Sequence, residues 1–174
     1  MTHKKVLSIL LLSALLFSCG NPNRQGVLHE TVTVHPHEDE PAEGRATRVF
    51  LAGTIDMGSG EDWQKEAEVI LASRETAYIV YNPRQREWNP LRTGEMEFQV
   101  NWELDHLEKA DIIVMNFLPD SKSPITLLEL GLFARSGKLR VICPPEFYRY
   151  DNVRITCEKY KVPLFNTLED ALNF

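Results

Sequence analysis

Residues 111–136 read DIIVMNFLPDSKSPITLLELGLFARS, and the order of patterns along them decides the fold. Asp111–Phe117 is a short, nearly unbroken apolar run, the signature of a strand buried on both faces. Leu118–Ser123 is punctuated by Pro119, Asp120 and Ser121, so the chain turns there. Ser123 followed by Pro124 reads as a helix start, a side chain able to cap and then a residue with preset φ. The helix expected over Pro124–Arg135 is apolar enough to be buried, yet it carries Glu129 in its middle, two residues before Gly131. Burying a carboxylate costs several kcal/mol unless it is paired or put to chemical use. Strand, turn and helix in this order make up half of a parallel βαβ unit.

The unit recurs to either side. Arg48–Gly53 is the first strand, and Asp62–Ser73 a helix with Trp63, Ala67 and Ile70 on one face. Ala77–Tyr81 is the second strand, stopped by Asn82-Pro83. After a long polar loop a helix is expected over Phe98–Ala110, made apolar by Phe98, Val100, Trp102, Leu104 and Leu107. Leu139–Cys143 is the fourth strand; a helix at Val153–Tyr160, a short strand Val162–Phe165 and a helix from Thr167 complete the chain. This alternation predicts an α/β domain, a parallel sheet of about five strands with helices on both faces. Ligands of such sheets bind outside the carboxyl ends of the strands, near the switch in strand order. Chemistry is therefore expected in GTIDMGSG after the first strand, NPRQREW after the second, LPDSKSP after the third and PPEFYRYDN after the fourth.

The 174 residues are about one domain's length, and the first of them read differently. Lys4 and Lys5 precede the apolar run VLSILLLSALLF, which is shorter than the roughly 20 residues of a spanning helix and fits a secretory leader. Leu16-Phe17-Ser18-Cys19 resembles the end of a bacterial lipoprotein signal. That likeness implies removal of residues 1–18 and a lipid on Cys19, hence an exported protein anchored to a bacterial membrane. Residues 19–46 are expected to be a tether, since HPHEDEPAEG has no periodicity that could bury a face. His35 and His37 beside Glu38 and Asp39 suggest a metal, but nothing nearby completes a ligand set, and a polar spacer is the expectation. The folded domain is then 47–174. A net charge of −6 with no basic patch argues against binding a nucleic acid polymer. Cys143 and Cys157 are too few for a disulfide scaffold, although export would permit one bridge.

Among the residues that could carry chemistry, Gly53 and Asp56 sit in a strand-to-turn segment that lacks a full GxGxxG, which gives dinucleotide binding little support. A turn bringing backbone amides close to a sugar or base fits better. Ser123 and the first amides of its helix could receive an oxyanion or phosphate, or Ser123 could simply cap. Glu103 could face the cleft or be solvated, as most helix carboxylates are. Arg84 and Trp88 could bind or stack on a base, and surface packing explains them equally well.

Taken together, FLAGTIDMGSGEDWQ, NPRQREW, QVNWELDHLEKADIIV, SPITLLELGLFARSG and CPPEFYRYDNV resemble the nucleoside 2-deoxyribosyltransferase-like proteins over nearly all of residues 48–165. The resemblance implies a flavodoxin-like (Rossmann-like) sheet, a nucleoside or nucleotide substrate, and neither cofactor nor metal. It makes Glu129 the nucleophile that forms a covalent glycosyl ester, with Gly131 permitting close packing behind it. Glu103, eight residues before Asp111, becomes the acid serving the departing base. Where deoxynucleoside enzymes hold sugar hydroxyls with an Asp, this chain has Ser123, as related deoxynucleotide N-glycosidases do near the 5′-phosphate. Asp120 is the nearest substitute carboxylate. Asn152 matches an Asn lent to a neighbouring subunit, which implies a homo-oligomer. Transfer, hydrolysis and binding without turnover all remain open at this stage.

Overall fold

The computed structural model describes residues 28–41, 45–55 and 61–174; the expected leader, Cys19 and Asp56 lie outside them. Six strands, β1 (Val32–Val34), β2 (Thr47–Gly53), β3 (Tyr78–Tyr81), β4 (Ile112–Asn116), β5 (Leu139–Ile142) and β6 (Leu164–Phe165), form one sheet in the order β1-β3-β2-β4-β5-β6. Every neighbouring pair is parallel. The connections are helices α1 (Trp63–Ala72), α2 (Glu95–Lys109), α3 (Pro124–Phe133) and α4 (Tyr150–Tyr160), and α5 (Leu168–Leu172) follows β6. Counted from β2, the strands run second, first, third, fourth, fifth, which is the flavodoxin-like order.

Period-two alternation along the strands splits the core into two layers. Val49, Leu51, Tyr78, Val80 and Val114 meet Trp63, Ala67 and Leu71 of α1 and Ala171 and Leu172 of α5. Phe50, Ala52, Tyr81, Ile113 and Met115 face the other way, toward α2, α3 and α4. Cys143 and Cys157 are both free and buried in that second layer, and burial pushes both thiols up, to about 12 and about 11.

Three sequence expectations need correction. The first is the tether. Val32–Val34 pair with Ile79–Tyr81 and add a sixth strand at the sheet edge, so residues 28–41 belong to the folded unit. A three-residue strand is too short to show periodicity beside HPHEDEP, and His35, His37, Glu38 and Glu40 there have specific partners. His35 Nδ1 lies 2.8 Å from the Arg84 carbonyl, and His37 Nε2 lies 2.9 Å from Glu95 Oε1, with its ring stacked on Phe98. Glu38 accepts from Arg86 Nε at 2.6 Å, and Glu40 accepts from Lys109 Nζ at 2.6 Å and from the Tyr81 hydroxyl at 3.1 Å. Among the described residues no cluster could hold a metal ion.

The second correction is the face that α2 buries. The helix starts at Glu95, and Glu95, Gln99, Trp102, His106 and Leu107 point inward, while Phe98, Val100 and Leu104 are exposed. The third concerns α3. Thr126, Glu129, Leu130 and Phe133 face the core at i, i+3, i+4 and i+7, whereas Ile125, Leu128 and Leu132 are each more than half exposed. Gly131 lies on the outward side as well, and a Cβ there would meet no atom within 4 Å, so it serves no close packing behind Glu129.

Candidate active site

The strand order switches between β2 and β4, which leave the sheet side by side and lead to helices on opposite faces. Gly53 makes that closeness possible. Its φ is +139°, and a Cβ there would lie 2.3 Å from the Asn116 carbonyl oxygen and 2.8 Å from its nitrogen. The backbone that approaches Gly53 is thus β4. One residue on, the Thr54 amide donates to the Asn116 carbonyl at 3.0 Å, and Thr54 Oγ1 accepts from the Leu118 amide at 3.1 Å. Thr54 Oγ1 also lies 2.6 Å from Ser123 Oγ and 3.1 Å from Ser121 Oγ, and the two serine oxygens are 2.8 Å apart. All three hydroxyls are buried, so this triangle knits the end of β2 to the loop entering α3.

Ser123 occupies the N-cap position in the left-handed region (φ 39°, ψ 52°), and its side chain makes no capping bond. Its hydroxyl is turned toward Thr54 and Ser121 instead, so the expectation of a side-chain cap fails. Six residues along, one carboxylate projects from the inner face of α3. Glu129 is 7% exposed, and among the described residues no protein donor is hydrogen-bonded to it. Burial pushes its carboxyl up to about 8, assisted by the negative charge of Glu103.

Glu103 reaches the same region from α2. Burial raises its carboxyl too, opposed by a 2.8 Å hydrogen bond that Gln99 Nε2 donates to Glu103 Oε1. That bond favours the ionised form of Glu103, whose negative charge in turn favours the neutral form of Glu129. The two carboxyls are therefore coupled, the charge of one favouring the neutral form of the other.

The loop after β3 is stitched into the same structure. Gln99 Nε2 also donates to the Pro83 carbonyl at 2.8 Å, and Gln99 Oε1 accepts from Gln85 Nε2 at 2.7 Å. Arg84 Nη2 donates to Gln64 Oε1 at 3.1 Å, and Arg84 Nε lies 3.3 Å from Asp62 Oδ1 without the alignment of a hydrogen bond. Gln64 Nε2 in turn donates to the Thr54 carbonyl at 3.3 Å, which Trp63 Nε1 also reaches at 2.9 Å. The loops after β2, β3 and β4 are therefore bound into one polar rim.

The structure brings Gly53, Arg84, Glu103, Ser123 and Glu129 to this end of the sheet. Trp88, Asp120 and Asn152 are exposed, with no hydrogen-bond or ion-pair partner among the described residues. Thr54, Gln64, Gln99 and Ser121 belong to the site without having been singled out. Thr54 stands inside the GTIDMGSG turn, and Gln99 precedes Glu103 by the four residues that put two side chains on one helix face.

Residues 46–147 match the family described as nucleoside 2-deoxyribosyltransferase like. The matched stretch contains Gly53, Arg84, Glu103, Ser123 and Glu129 and ends before Asn152. No curated protein matches the chain significantly. With more than half of its length covered and the strand order that such a site requires, the chain belongs to the nucleoside 2-deoxyribosyltransferase-like family.

Proposed function

We propose that the protein cleaves or exchanges the N-glycosidic bond of (deoxy)nucleosides, with Glu129 as nucleophile and Glu103 as the acid for the departing base. The observation that carries this reading is the pair itself: Glu129 buried on the inner face of α3 and Glu103 reaching the same end of the sheet from α2, where ligands of such sheets bind. Glu129 Oε attacks the anomeric carbon, the bond from that carbon to the base nitrogen breaks, and the base leaves with the proton held by Glu103. A second base, or water, giving its proton back to Glu103, then forms the new bond to the anomeric carbon and displaces Glu129 from the ester as the free carboxylate. In the resting protein burial favours the neutral form of Glu129. Positive charge developing at the sugar would favour ionised Glu129 and so move the proton toward Glu103.

Hydrolysis of a phosphorylated substrate, a (deoxy)nucleotide or an NAD-like compound, is the second reading, favoured by Ser123. A neutral residue there spares a phosphate the repulsion that a carboxylate would exert. We also propose that the protein is exported and lipid-anchored through Cys19, on the support of residues 4–19 alone. Self-association into a homo-oligomer is supported by the exposed Ile125, Leu128 and Leu132 stripe of α3 and by the unpartnered position of Asn152.

The test is to incubate full-length protein with deoxynucleosides, deoxynucleotides and NAD, with and without free adenine, and to separate the products by chromatography. New nucleoside that appears only with added base establishes transfer. Free base without exchange establishes hydrolysis. No product from any of them, in wild type and Glu129→Gln alike, refutes catalysis and leaves a binding module.

A further inference from the structure

Gln99 has no part in the reaction just described, yet its amide is wholly committed. The residue is buried on the inner face of α2, one turn before Glu103. Its two amide hydrogens go to the Pro83 carbonyl and to Glu103 Oε1, and its oxygen accepts from Gln85. The orientation is forced, because a flipped amide would set its oxygen against both a carbonyl and a carboxylate. Glu103 is thus held by a side chain that is itself pinned, on two sides, to the loop after β3.

We propose that Gln99 is a positioning residue: it fixes the Glu103 carboxylate in the crevice and couples it to the loop that follows β3. The inference rests on Glu103 being the acid of the proposed reaction. Oε1 of Glu103 is occupied as an acceptor, which leaves Oε2 to carry the proton delivered to the base. The Gln99 bond strengthens as that proton departs, since hydrogen bonds to a carboxylate are stronger than those to a neutral acid. The groups facing Glu103 are Glu129 from α3, the Pro83 and Gln85 loop through Gln99, and Gln99 on its own helix; among the described residues no cationic side chain pairs with it.

The experiment compares full-length wild type with Gln99→Met, which keeps the volume and removes both donors, and with Gln85→Met, which leaves the bond to Glu103 intact. Carbon-13 carboxyl shifts of Glu103 are followed across pH, beside pH profiles of kcat and KM for base release. The expected result for Gln99→Met is a Glu103 titration moved up by about one pH unit or more. The acid limb of kcat should move with it, and kcat should fall about tenfold or more at nearly constant KM. Gln85→Met should titrate close to wild type. If Gln99→Met does not fold, Gln99→Asn, too short to reach Glu103, should give the same upward shift. A folded Gln99 variant with Glu103 titrating as in wild type overturns the inference, whatever its turnover. A shifted titration in a protein that shows no turnover even as wild type sustains the positioning of Glu103 and refutes the reaction instead.

Discussion

Glu129 is held in an environment that suits its neutral form, and this has a thermodynamic signature apart from catalysis. Its folded-state carboxyl sits at about 8, well above the usual carboxylate value of 4.5. A group raised on folding stabilises fully below its unfolded value, and that stability is lost as pH rises toward the folded one. Wild type should therefore lose stability between about pH 4.5 and pH 8 on this account. Glu129→Gln, which cannot ionise, should lack turnover but melt above wild type at pH 8, by up to a few kcal/mol, with the two converging near pH 4.5. Thermal melts at several pH values check both halves of this statement. Gly53 is the second residue with a sharp consequence. Gly53→Ala would drive a methyl into the Asn116 backbone at a φ that side chains disfavour, and should cost about 3 kcal/mol or more in urea unfolding. A lone carboxylate in an apolar run was legible from sequence because it contradicts its surroundings. Thr54, Ser121 and Ser123 were not legible as a cluster, because hydroxyls are at home in any turn and only the β2–β4 contact unites them.

At the scale of elements, the strands and helices of residues 47–174 follow from alternation of pattern, and their boundaries shift by a few residues at most. What the pattern misjudged is which way two helices face. Phe98, Val100 and Leu104 suggested an apolar buried side for α2, yet inward polar residues such as Gln99 and Glu95 find hydrogen-bond partners and so are tolerated in the interior. Edge strand β1 escaped notice for the same reason: His35, His37, Glu38 and Glu40 beside it looked solvated but each has a specific partner. Glu40 is the clearest anchor, since Tyr81, fully buried, directs its hydroxyl to it. Burial first, and then the Glu40 charge, push the Tyr81 phenol up to about 12. Glu40→Ala should lower that titration only in part, because burial remains, and should cost about 1–3 kcal/mol of stability through the orphaned hydroxyl. Ultraviolet titration and urea unfolding measure the two effects separately.

At the scale of the molecule, half of the exposed large apolar side chains among the described residues lie on two helices: Met96, Phe98, Val100 and Leu104 on α2, Ile125, Leu128 and Leu132 on α3. Ile125, Leu128 and Leu132, at i, i+3 and i+7, line one outward stripe of α3, and such exposed apolar stripes mark association surfaces more often than accidents of composition. The double variant Leu128→Glu, Leu132→Glu should sediment as a folded monomer where wild type sediments as a larger species. A monomeric wild type would remove the basis for a shared site involving Asn152. The topology from β2 onward was readable from alternation because a parallel crossover commonly takes a helix; the outward direction of Leu128 and Leu132 was not, because leucines suit a core or a surface stripe equally well.

The three residues of β1 also settle which strand is last. β3 is buried at every position, and among the described residues one side of its backbone is covered by Val32–Val34 and the Thr31 hydroxyl. Remove residues 28–41 and Tyr78–Tyr81 would become an open parallel edge of wholly apolar strand, a template onto which another chain's strand could be added. Residues 28–41 thus guard the folded unit against aggregation, and a shortened chain that begins after them should be the first form to precipitate.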